Sequence, residues 1–164
     1  MILIGIGANL PSPRFGQPRG TCDAAVEALA ALDGVRVATR SRWFESAPVP
    51  ISDQPWYVNG VCAVETSLSP DRLLAVLHGI EEDFGRVRTE RNAARVLDLD
   101  LLAYDDRVSA PGDVPIVPHP RLHQRAFVLL PLRDVAPEWT HPGLALTLEE
   151  MIRSLPADQV SRPL

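Results

Sequence analysis

The chain has 164 residues and a formal net charge of −5 at pH 7, and all 16 of its basic residues are arginine. A chain of this length builds one domain with a sizeable core, so residues 1–164 are expected to form a single domain. The absence of lysine excludes Schiff-base chemistry, a phosphate loop that ends in Gly-Lys-Ser/Thr, and a kinase that depends on a strand lysine. The acidic balance argues against nucleic acid as a partner.

The cysteines and the apolar segments indicate a cytoplasmic protein. Cys22 and Cys62 lie far apart with no histidine-rich stretch nearby, so we expect two core residues rather than a disulfide framework or a zinc site. The first residues lack the basic region of a signal peptide, and no apolar stretch approaches the ~20 residues of a membrane span. We therefore expect a soluble cytoplasmic protein with no membrane partner.

The first predicted element is a short buried strand. The apolar run over residues 2–6 alternates as a strand does, and it ends at the motif Gly7-Ala8-Asn9-Leu10. Gly5 and Gly7 lie close together, but the third glycine of a dinucleotide-binding fingerprint is missing, which excludes that kind of site. Residues 11–20 include three prolines and two glycines, so we expect an irregular loop there that is long enough to act as a lid.

The elements that follow predict a βαββαβ order. Thr21 is the expected N-cap of the next helix, and Ser69 with Pro70 indicates the start of another. The predicted segments are, in chain order, a helix over 21–32, a strand over 35–46, a proline-rich loop over 47–55, a strand over 57–66, a helix over 70–83, a strand over 96–103, and short helices near 125–133 and 147–155. This order is typical of a ferredoxin-like fold of the α/β (α+β) class, with a mostly antiparallel sheet covered by helices.

An arginine-rich loop precedes the strand at 96–103. Residues 85–95 contain one acid, Glu90, and four arginines: Arg86, Arg88, Arg91 and Arg95. Guanidinium groups bind phosphate oxygens in a bidentate geometry, so the loop suits a phosphate-bearing ligand. A solvated surface loop is the alternative interpretation of the same residues.

Two carboxylates share one face of the strand that follows this loop. Asp98 and Asp100 are two residues apart, so both side chains leave the strand in one direction, about 6.6–7 Å apart at the backbone. Their apolar neighbours predict a central strand, where such a pair is costly to desolvate unless a divalent cation binds it. Two Mg²⁺ ions about 3.5–4 Å apart serve phosphoryl transfer at such sites. A pair of acids on an exposed sheet face is the alternative.

Two further segments suit ligand binding. His119 lies between Pro118 and Pro120, which hold it rigidly, and a histidine pKa near neutrality suits phosphate binding or proton handling. Tyr57 and Asn59 share a strand face, where the ring can stack on a flat heterocycle while the amide reads its edge. A surface histidine, and a core aromatic with a capping amide, are the structural alternatives.

Together these segments resemble the 6-hydroxymethyl-7,8-dihydropterin pyrophosphokinase (HPPK) family of folate biosynthesis. The resemblance covers nearly the whole chain, and its most specific part is the Arg-x-x-Asp-Leu-Asp signature at residues 95–100. The other matching segments are Gly7 to Leu10, Asp53 to Asn59, Glu65 to Leu68, Ile80-Glu81, Gly85 to Arg88, and Pro118-His119. The resemblance implies that the enzyme transfers a pyrophosphoryl group from ATP to the hydroxymethyl oxygen of the pterin and releases AMP.

The resemblance also implies roles for individual residues. Asp98 and Asp100 match the ligands of two Mg²⁺ ions, and Arg86 and Arg95 match arginines that support catalysis at the phosphates. The residues matched to ATP contacts are Glu81, Arg88, Leu101, His119 and Arg125. The residues matched to the pterin pocket are Tyr57 and Phe127, which sandwich the ring, Asn59, which reads its edge, and Ser46, Ala47 and Val49, which line it partly with backbone.

Two other functions fit parts of the pattern. A nucleotidyltransferase on a ferredoxin-like palm uses the same metal-binding Asp-x-Asp pair and releases pyrophosphate in place of AMP. A non-catalytic ferredoxin-like module that binds a small ligand predicts no Mg²⁺ dependence and leaves the arginines beside the two acids unexplained. For the pyrophosphokinase, the loops at 11–20, 47–56 and 85–95 are expected to close over the two substrates and exclude water from the phosphoryl donor.

Overall fold

The chain folds into an antiparallel sheet with helices on both faces. The computed structural model describes residues 1–85 and 96–164. The strands in these ranges are β1 (Ile2–Ala8), β2 (Val35–Arg40), β3 (Phe44–Ser46), β4 (Tyr57–Thr66), β5 (Asp98–Tyr104) and β6 (Ser161–Pro163). The helices are α1 (Pro18–Ala30), α2 (Pro70–Asp83), α3 (Ala126–Val135) and α4 (Leu148–Arg153), with a 3-10 turn at Leu122–Gln124. Within the same ranges, no helix is long and apolar enough to cross a membrane.

The order of the strands in the sheet confirms the predicted fold. The order is β5-β1-β4-β3-β6. Strand β2 pairs with the same edge of β4 as β3 does, but at the opposite end of β4. The strand pairs are antiparallel throughout the described sheet. The order β1-α1-β2/β3-β4-α2-β5 is the predicted βαββαβ arrangement, to which α3, α4 and β6 are added.

The core has two layers because successive side chains of a strand point to opposite faces. Ile2, Ile4 and Ile6 of β1 belong to the layer that α1 and α2 cover. Leu3 belongs to the opposite layer, which α3 and α4 cover. Apolar side chains therefore lie on both faces of β1, as the continuous apolar run at residues 2–6 predicts.

Several sequence expectations agree with the structure in detail. The predicted bounds of β4 and α2 are the observed ones, and Ser69 is the N-cap of α2 with Pro70 in its first turn. Cys22 and Cys62 are fully buried, and burial raises the pKa of each thiol to about 12. Both cysteines are thus the unreactive core residues that their spacing predicts.

Helix α1 begins earlier than the sequence predicts, and Thr21 is not its N-cap. Gln17 is the N-cap, and Pro18 takes the first helical position, where its fixed φ suits the helix and no N–H is needed. Thr21 lies inside the helix and is fully buried. The irregular loop is therefore shorter than 11–20, and two backbone hydrogen bonds of 2.7 and 2.8 Å pair Ser12 with Gly16 inside it.

The single strand predicted over 35–46 is instead two strands, β2 and β3. Between them, the hydroxyl of Ser41 accepts a hydrogen bond of 2.9 Å from the N–H of Val61. The ring of Trp43 then packs on Gly60, where an added Cβ would lie 2.4 Å from a ring carbon. The strand is thus interrupted where Trp43 packs against the backbone of Gly60, which has no side chain in the way.

Strand β5 lies at the edge of the described sheet, although its apolar neighbours predict a central strand. Among the described strands it pairs with β1 alone. Leu99 and Leu101 are nevertheless buried, because α2 packs against β5. The backbone N–H of His119 also donates to the carbonyl of Leu102 at 2.8 Å, which brings His119 beside this strand.

Candidate active site

Two cavities open beside the first residues of β5. The aromatic cavity, of about 210 Å³, is lined by Tyr57 and Phe127 together with Gly5, Gly7, Ala47, Val49, Gln54, Asn59 and Arg125. The histidine cavity, of about 380 Å³, is lined by His78 and His119 together with Leu74, Glu81, Leu101 and residues 113–116. Asp98 and Asp100 line both cavities. The two carboxylates therefore lie on a wall that the two spaces share.

The floor of the aromatic cavity is a row of residues across three strands. Gly7 of β1 lies opposite Asn59 of β4 on one side and opposite Asp98 of β5 on the other. Directly opposite residues of antiparallel strands project from the same face. A Cβ at Gly7 would lie 2.9 Å from Nδ2 of Asn59, so only glycine leaves this amide in place. Gly5 lies opposite Asp100 in the same way, and sequence reasoning gave no role to either glycine.

The amide of Asn59 is held from behind by Ser46. The Ser46 hydroxyl donates to Oδ1 of Asn59, and both residues are buried. With Oδ1 accepting this bond, the Nδ2 group is directed toward Gly7 and the cavity floor. Asn59 thus contributes a fixed donor to the cavity, and Ser46 acts on it through the hydrogen bond.

The loop between β3 and β4 is tied to the end of β1 by Asn9. Asn9 is only 1% exposed, and its Nδ2 donates to Oε1 of Gln54 and to the carbonyl of Pro55, both at 3.1 Å. Ala47 and Val49 of this loop line the aromatic cavity. Sequence reasoning gave Asn9 and Gln54 no role, although both lie in segments that carry the resemblance to HPPK.

Helix α3 supplies the wall that holds Arg125 and Phe127. Arg125 is the N-cap of α3, and its guanidinium carbon lies 5.2 Å from the centre of the Phe127 ring. At that distance the cation and the ring attract each other. Arg125 therefore brings positive charge to the edge of an otherwise aromatic wall.

His119 is neutral at physiological pH, which corrects the sequence expectation of titration near neutrality. Burial and the charges of Arg125 and Arg121 lower its pKa to about 4, and Asp98 opposes them in part. Nδ1 accepts a hydrogen bond of 3.1 Å from the N–H of Arg121, so the ring proton lies on Nε2. His119 thus offers the histidine cavity a neutral N–H donor.

Glu81 supports the segment of β5 that carries the two aspartates. Its side chain is 1% exposed, and Oε2 accepts a hydrogen bond of 2.8 Å from the N–H of Leu99. Leu99 lies between Asp98 and Asp100 in the chain, so this bond fixes the backbone from which both carboxylates project. His78 lies one turn before Glu81 on α2 and also lines the histidine cavity, but no sequence motif indicates it.

The two aspartates suit magnesium better than a metal that needs a full set of protein ligands. In the described ranges, 1–85 and 96–164, no three His, Cys, Asp or Glu side chains form a cluster that could hold a metal ion. Mg²⁺ is usually bound by one or two carboxylates together with water and the phosphates of a substrate. Asp98 and Asp100, on a wall between two cavities, match that donor set. Of the predicted phosphate ligands, Arg86, Arg88 and Arg95 lie outside the described residues.

Comparison with known proteins identifies relatives over nearly the full length. Residues 3–137 match the family model of 7,8-dihydro-6-hydroxymethylpterin-pyrophosphokinase (HPPK). The chain is 37% identical over 163 residues to the 2-amino-4-hydroxy-6-hydroxymethyldihydropteridine pyrophosphokinase of Pseudomonas aeruginosa, covering 98% of this chain and 95% of the relative. It is 36% identical over 159 residues to the enzyme of the same name from Methylorubrum extorquens, covering 97% and 96%.

The fold is similar to that of a solved HPPK-DHPS protein. A triple mutant of HPPK-DHPS from Plasmodium falciparum matches with a TM-score of 0.67 at 13% identity, over 93% of this chain and 43% of that one. That likeness concerns the fold, whereas the family match and the full-length relatives concern the activity. They confirm the predicted family: the chain belongs to the 6-hydroxymethyl-7,8-dihydropterin pyrophosphokinases, which transfer pyrophosphate from ATP to hydroxymethyldihydropterin in folate synthesis.

Proposed function

We propose that the aromatic cavity binds the dihydropterin, that the histidine cavity binds ATP, and that the pyrophosphoryl group is transferred beside Asp98 and Asp100. The observation that carries this proposal is that the two carboxylates line both cavities. A transfer reaction needs donor and acceptor atoms about 3–3.5 Å apart, which requires binding sites that adjoin. A shared wall of two acids supplies both the contact and a place for metal ions.

On the pterin side, Tyr57 and Phe127 stack on the two faces of the ring, and Asn59 reads its edge. The amide of Asn59 is well suited to this role because Ser46 fixes its orientation. Ala47 and Val49 close the side of the pocket. A rigid aromatic pair with one oriented amide recognises a flat heterocycle by its shape and by its hydrogen-bonding edge.

On the ATP side, the charged and polar groups bind the phosphates. His119 donates from Nε2 to a phosphate oxygen, and Arg125 contributes its guanidinium from the border of the two cavities. Glu81 and Leu101 contact the nucleotide from α2 and β5. We assign the remaining positive charge to Arg86, Arg88 and Arg95, in agreement with the resemblance to the family. Every protein cation in this set is an arginine, as a chain without lysine requires.

Asp98 and Asp100 are the proposed ligands of two Mg²⁺ ions. When bound, Mg²⁺ neutralises the charge of the polyphosphate and of the transition state. In the transfer, the hydroxymethyl oxygen of the pterin forms a bond to the β-phosphorus of ATP and loses its proton to solvent. The bond from that phosphorus to the oxygen bridging it to the α-phosphorus breaks, and AMP leaves. The chain positions the two reactants and stabilises their charge, and no covalent protein intermediate is required.

Product analysis combined with two single variants tests this assignment. MgATP and 6-hydroxymethyl-7,8-dihydropterin are expected to yield AMP, whereas ADP or free pyrophosphate as the product would overturn the reaction. Phe127→Ala should raise the KM for the pterin more than the KM for ATP. His119→Ala should raise the KM for ATP more than the KM for the pterin. The opposite pattern would contradict the assignment of substrates to cavities.

We also infer that residues 1–164 form one domain that acts as a monomer in the cytoplasm. The two core layers share a single sheet, which supports one folding unit. Light scattering coupled to size-exclusion chromatography should give a mass near 18.0 kDa. A mass twice that value would contradict the monomer.

A further inference from the structure

The C-terminal segment, residues 159–163, contacts both walls of the aromatic cavity although it lies outside the matched range 3–137. On one wall, Oε1 of Gln159 accepts a hydrogen bond of 2.8 Å from the N–H of Ala126. Nε2 of the same amide donates to the carbonyl of Gln124, also at 2.8 Å. Gln159 thus binds the backbone on both sides of Arg125.

The next residues of the segment bind the opposite wall. The carbonyl of Val160 accepts a hydrogen bond of 3.1 Å from the N–H of Ala47. Strand β6 then pairs with β3, and Ser161 lies opposite Ser46 in that pairing. Gln159 and Val160 are consecutive, so a single peptide unit connects the wall that carries Phe127 with the wall that carries Ala47.

We propose that Gln159 is a positioning residue for the pterin site. The first N–H groups of a helix have no partner inside the helix, and the Gln159 amide supplies one for Ala126, which is buried. Phe127, the next residue, is the ring proposed to cover one face of the pterin. By fixing the start of α3 relative to the segment that holds Ala47, Gln159 sets the position of that ring across the cavity. This inference rests on the proposed pterin site.

The contacts of Gln159 have a matched counterpart at the far end of β4. The hydroxyl of Thr66 donates to the carbonyl of Gly34 at 2.6 Å and accepts from the N–H of Leu68 at 3.1 Å. Each side chain therefore makes one donated and one accepted hydrogen bond to backbone. Thr66 lies outside both cavities. Loss of its hydroxyl affects the fold alone, whereas loss of the Gln159 amide also affects the pterin site.

The experiment compares Gln159→Met, Gln159→Glu and Thr66→Val. The dissociation constant of 6-hydroxymethyl-7,8-dihydropterin is measured by fluorescence with a non-hydrolysable ATP analogue and Mg²⁺ present, and Tm is measured on the same samples. Gln159→Met should raise the dissociation constant about five- to tenfold, the scale of one or two lost hydrogen bonds. Gln159→Glu should show a smaller rise, because its carboxylate still accepts from Ala126. Thr66→Val should lower Tm and leave the dissociation constant unchanged.

The outcomes separate the inference from the function on which it rests. If Gln159→Met changes Tm but not the dissociation constant, Gln159 is purely structural and the inference is wrong. If Gln159→Met does not fold, Gln159→Glu decides: a raised dissociation constant with an intact fold supports the inference, and wild-type pterin binding with an intact fold overturns it. A Phe127→Ala variant with wild-type pterin binding would instead overturn the proposed pterin site, and the inference with it.

Discussion

The two cavities that meet at Asp98 and Asp100 are built in different ways. In the aromatic cavity, polar side chains are fixed by hydrogen bonds between elements: Ser46 holds Asn59, and Asn9 holds Gln54. The histidine cavity also has such a bond, from the N–H of Leu99 to Glu81, but it is bordered by residues 113–116, of which Val114 is 79% exposed and Ile116 is 52% exposed. Val49 at the side of the aromatic cavity is also exposed, at 45%, so the two cavities differ in degree: the aromatic cavity has more of its polar side chains fixed, and the histidine cavity has the more exposed wall.

The difference corresponds to the substrates proposed for the two sides. A rigid bicyclic ring is recognised by shape and edge donors, so its pocket benefits from side chains that do not move. A flexible polyphosphate is recognised by charge, which acts over longer distances and tolerates an open wall. Substitutions that change the geometry should therefore affect pterin binding most. Substitutions that change a charge should affect the reaction rate and ATP binding most.

The largest expected effect is the loss of a charge on the shared wall. Asp98→Asn keeps the volume of the side chain and removes a metal ligand, so kcat should fall at least about 10³-fold while the protein stays folded. AMP formation at saturating Mg²⁺ measures the rate. Asp105→Asn is the matched control, because Asp105 follows the other end of β5 and pairs with the N-terminal amine. A near wild-type rate in Asp98→Asn would contradict the proposed role of the shared wall in the reaction.

The second prediction concerns the support of that wall from the ATP side. Glu81→Ala leaves the buried N–H of Leu99 without its 2.8 Å partner, which should lower the free energy of unfolding by about 1–3 kcal/mol. Glu81→Gln retains an acceptor oxygen and should recover most of that loss in urea denaturation. If the glutamine variant is as unstable as the alanine variant, the bond to Leu99 is not what Glu81 contributes. If glutamine restores stability but not the KM for ATP, the carboxylate also contacts the nucleotide.

Local signals in the sequence predict most of the fold and part of the candidate site. The bounds of α2 follow from Ser69 and Pro70, and the shared face of Tyr57 and Asn59 follows from the two-residue period of a strand. Asp98 and Asp100 were found in the same way, from their spacing. These features depend on neighbours within a few residues, which a sequence displays directly.

The features that the sequence did not predict depend on contacts between distant residues. The break before β3 requires Trp43 to meet Gly60, and the cavity floor requires Gly7 to lie between Asn59 and Asp98. The low pKa of His119 depends on burial and on charges that the fold brings to it. The pairing of Gly7 with Asn59 and Asp98, and the burial of a polar side chain such as His119, depend on tertiary contacts that no local pattern specifies.

A third prediction tests whether the aromatic cavity depends on geometry. Gly7→Ala places a Cβ 2.9 Å from Nδ2 of Asn59, so the amide must move, and the KM for the pterin should rise about tenfold. Gly79→Ala is the control, because no heavy atom lies within 4 Å of its added Cβ. Since Gly79 is in the interior of α2, its replacement should raise stability by about 0.5–1 kcal/mol with no change in KM. An unchanged pterin KM in Gly7→Ala would show that the cavity adapts.

The smallest effect should come from His119, through the pH dependence of stability. Its pKa is lowered from an ordinary value of 6.5 to about 4, so between these values the unfolded chain binds a proton that the folded protein does not. The histidine therefore makes the protein less stable as pH falls from 6.5 through 4. His119→Gln should reduce this slope in Tm measurements with EDTA, and part of it should remain because burial also lowers the pKa of His141. Parallel curves for variant and wild type would mean that His119 is solvated and becomes protonated in the folded protein as readily as in the unfolded chain. The histidine cavity would then contain a positively charged imidazolium in place of the neutral N–H donor that we assign.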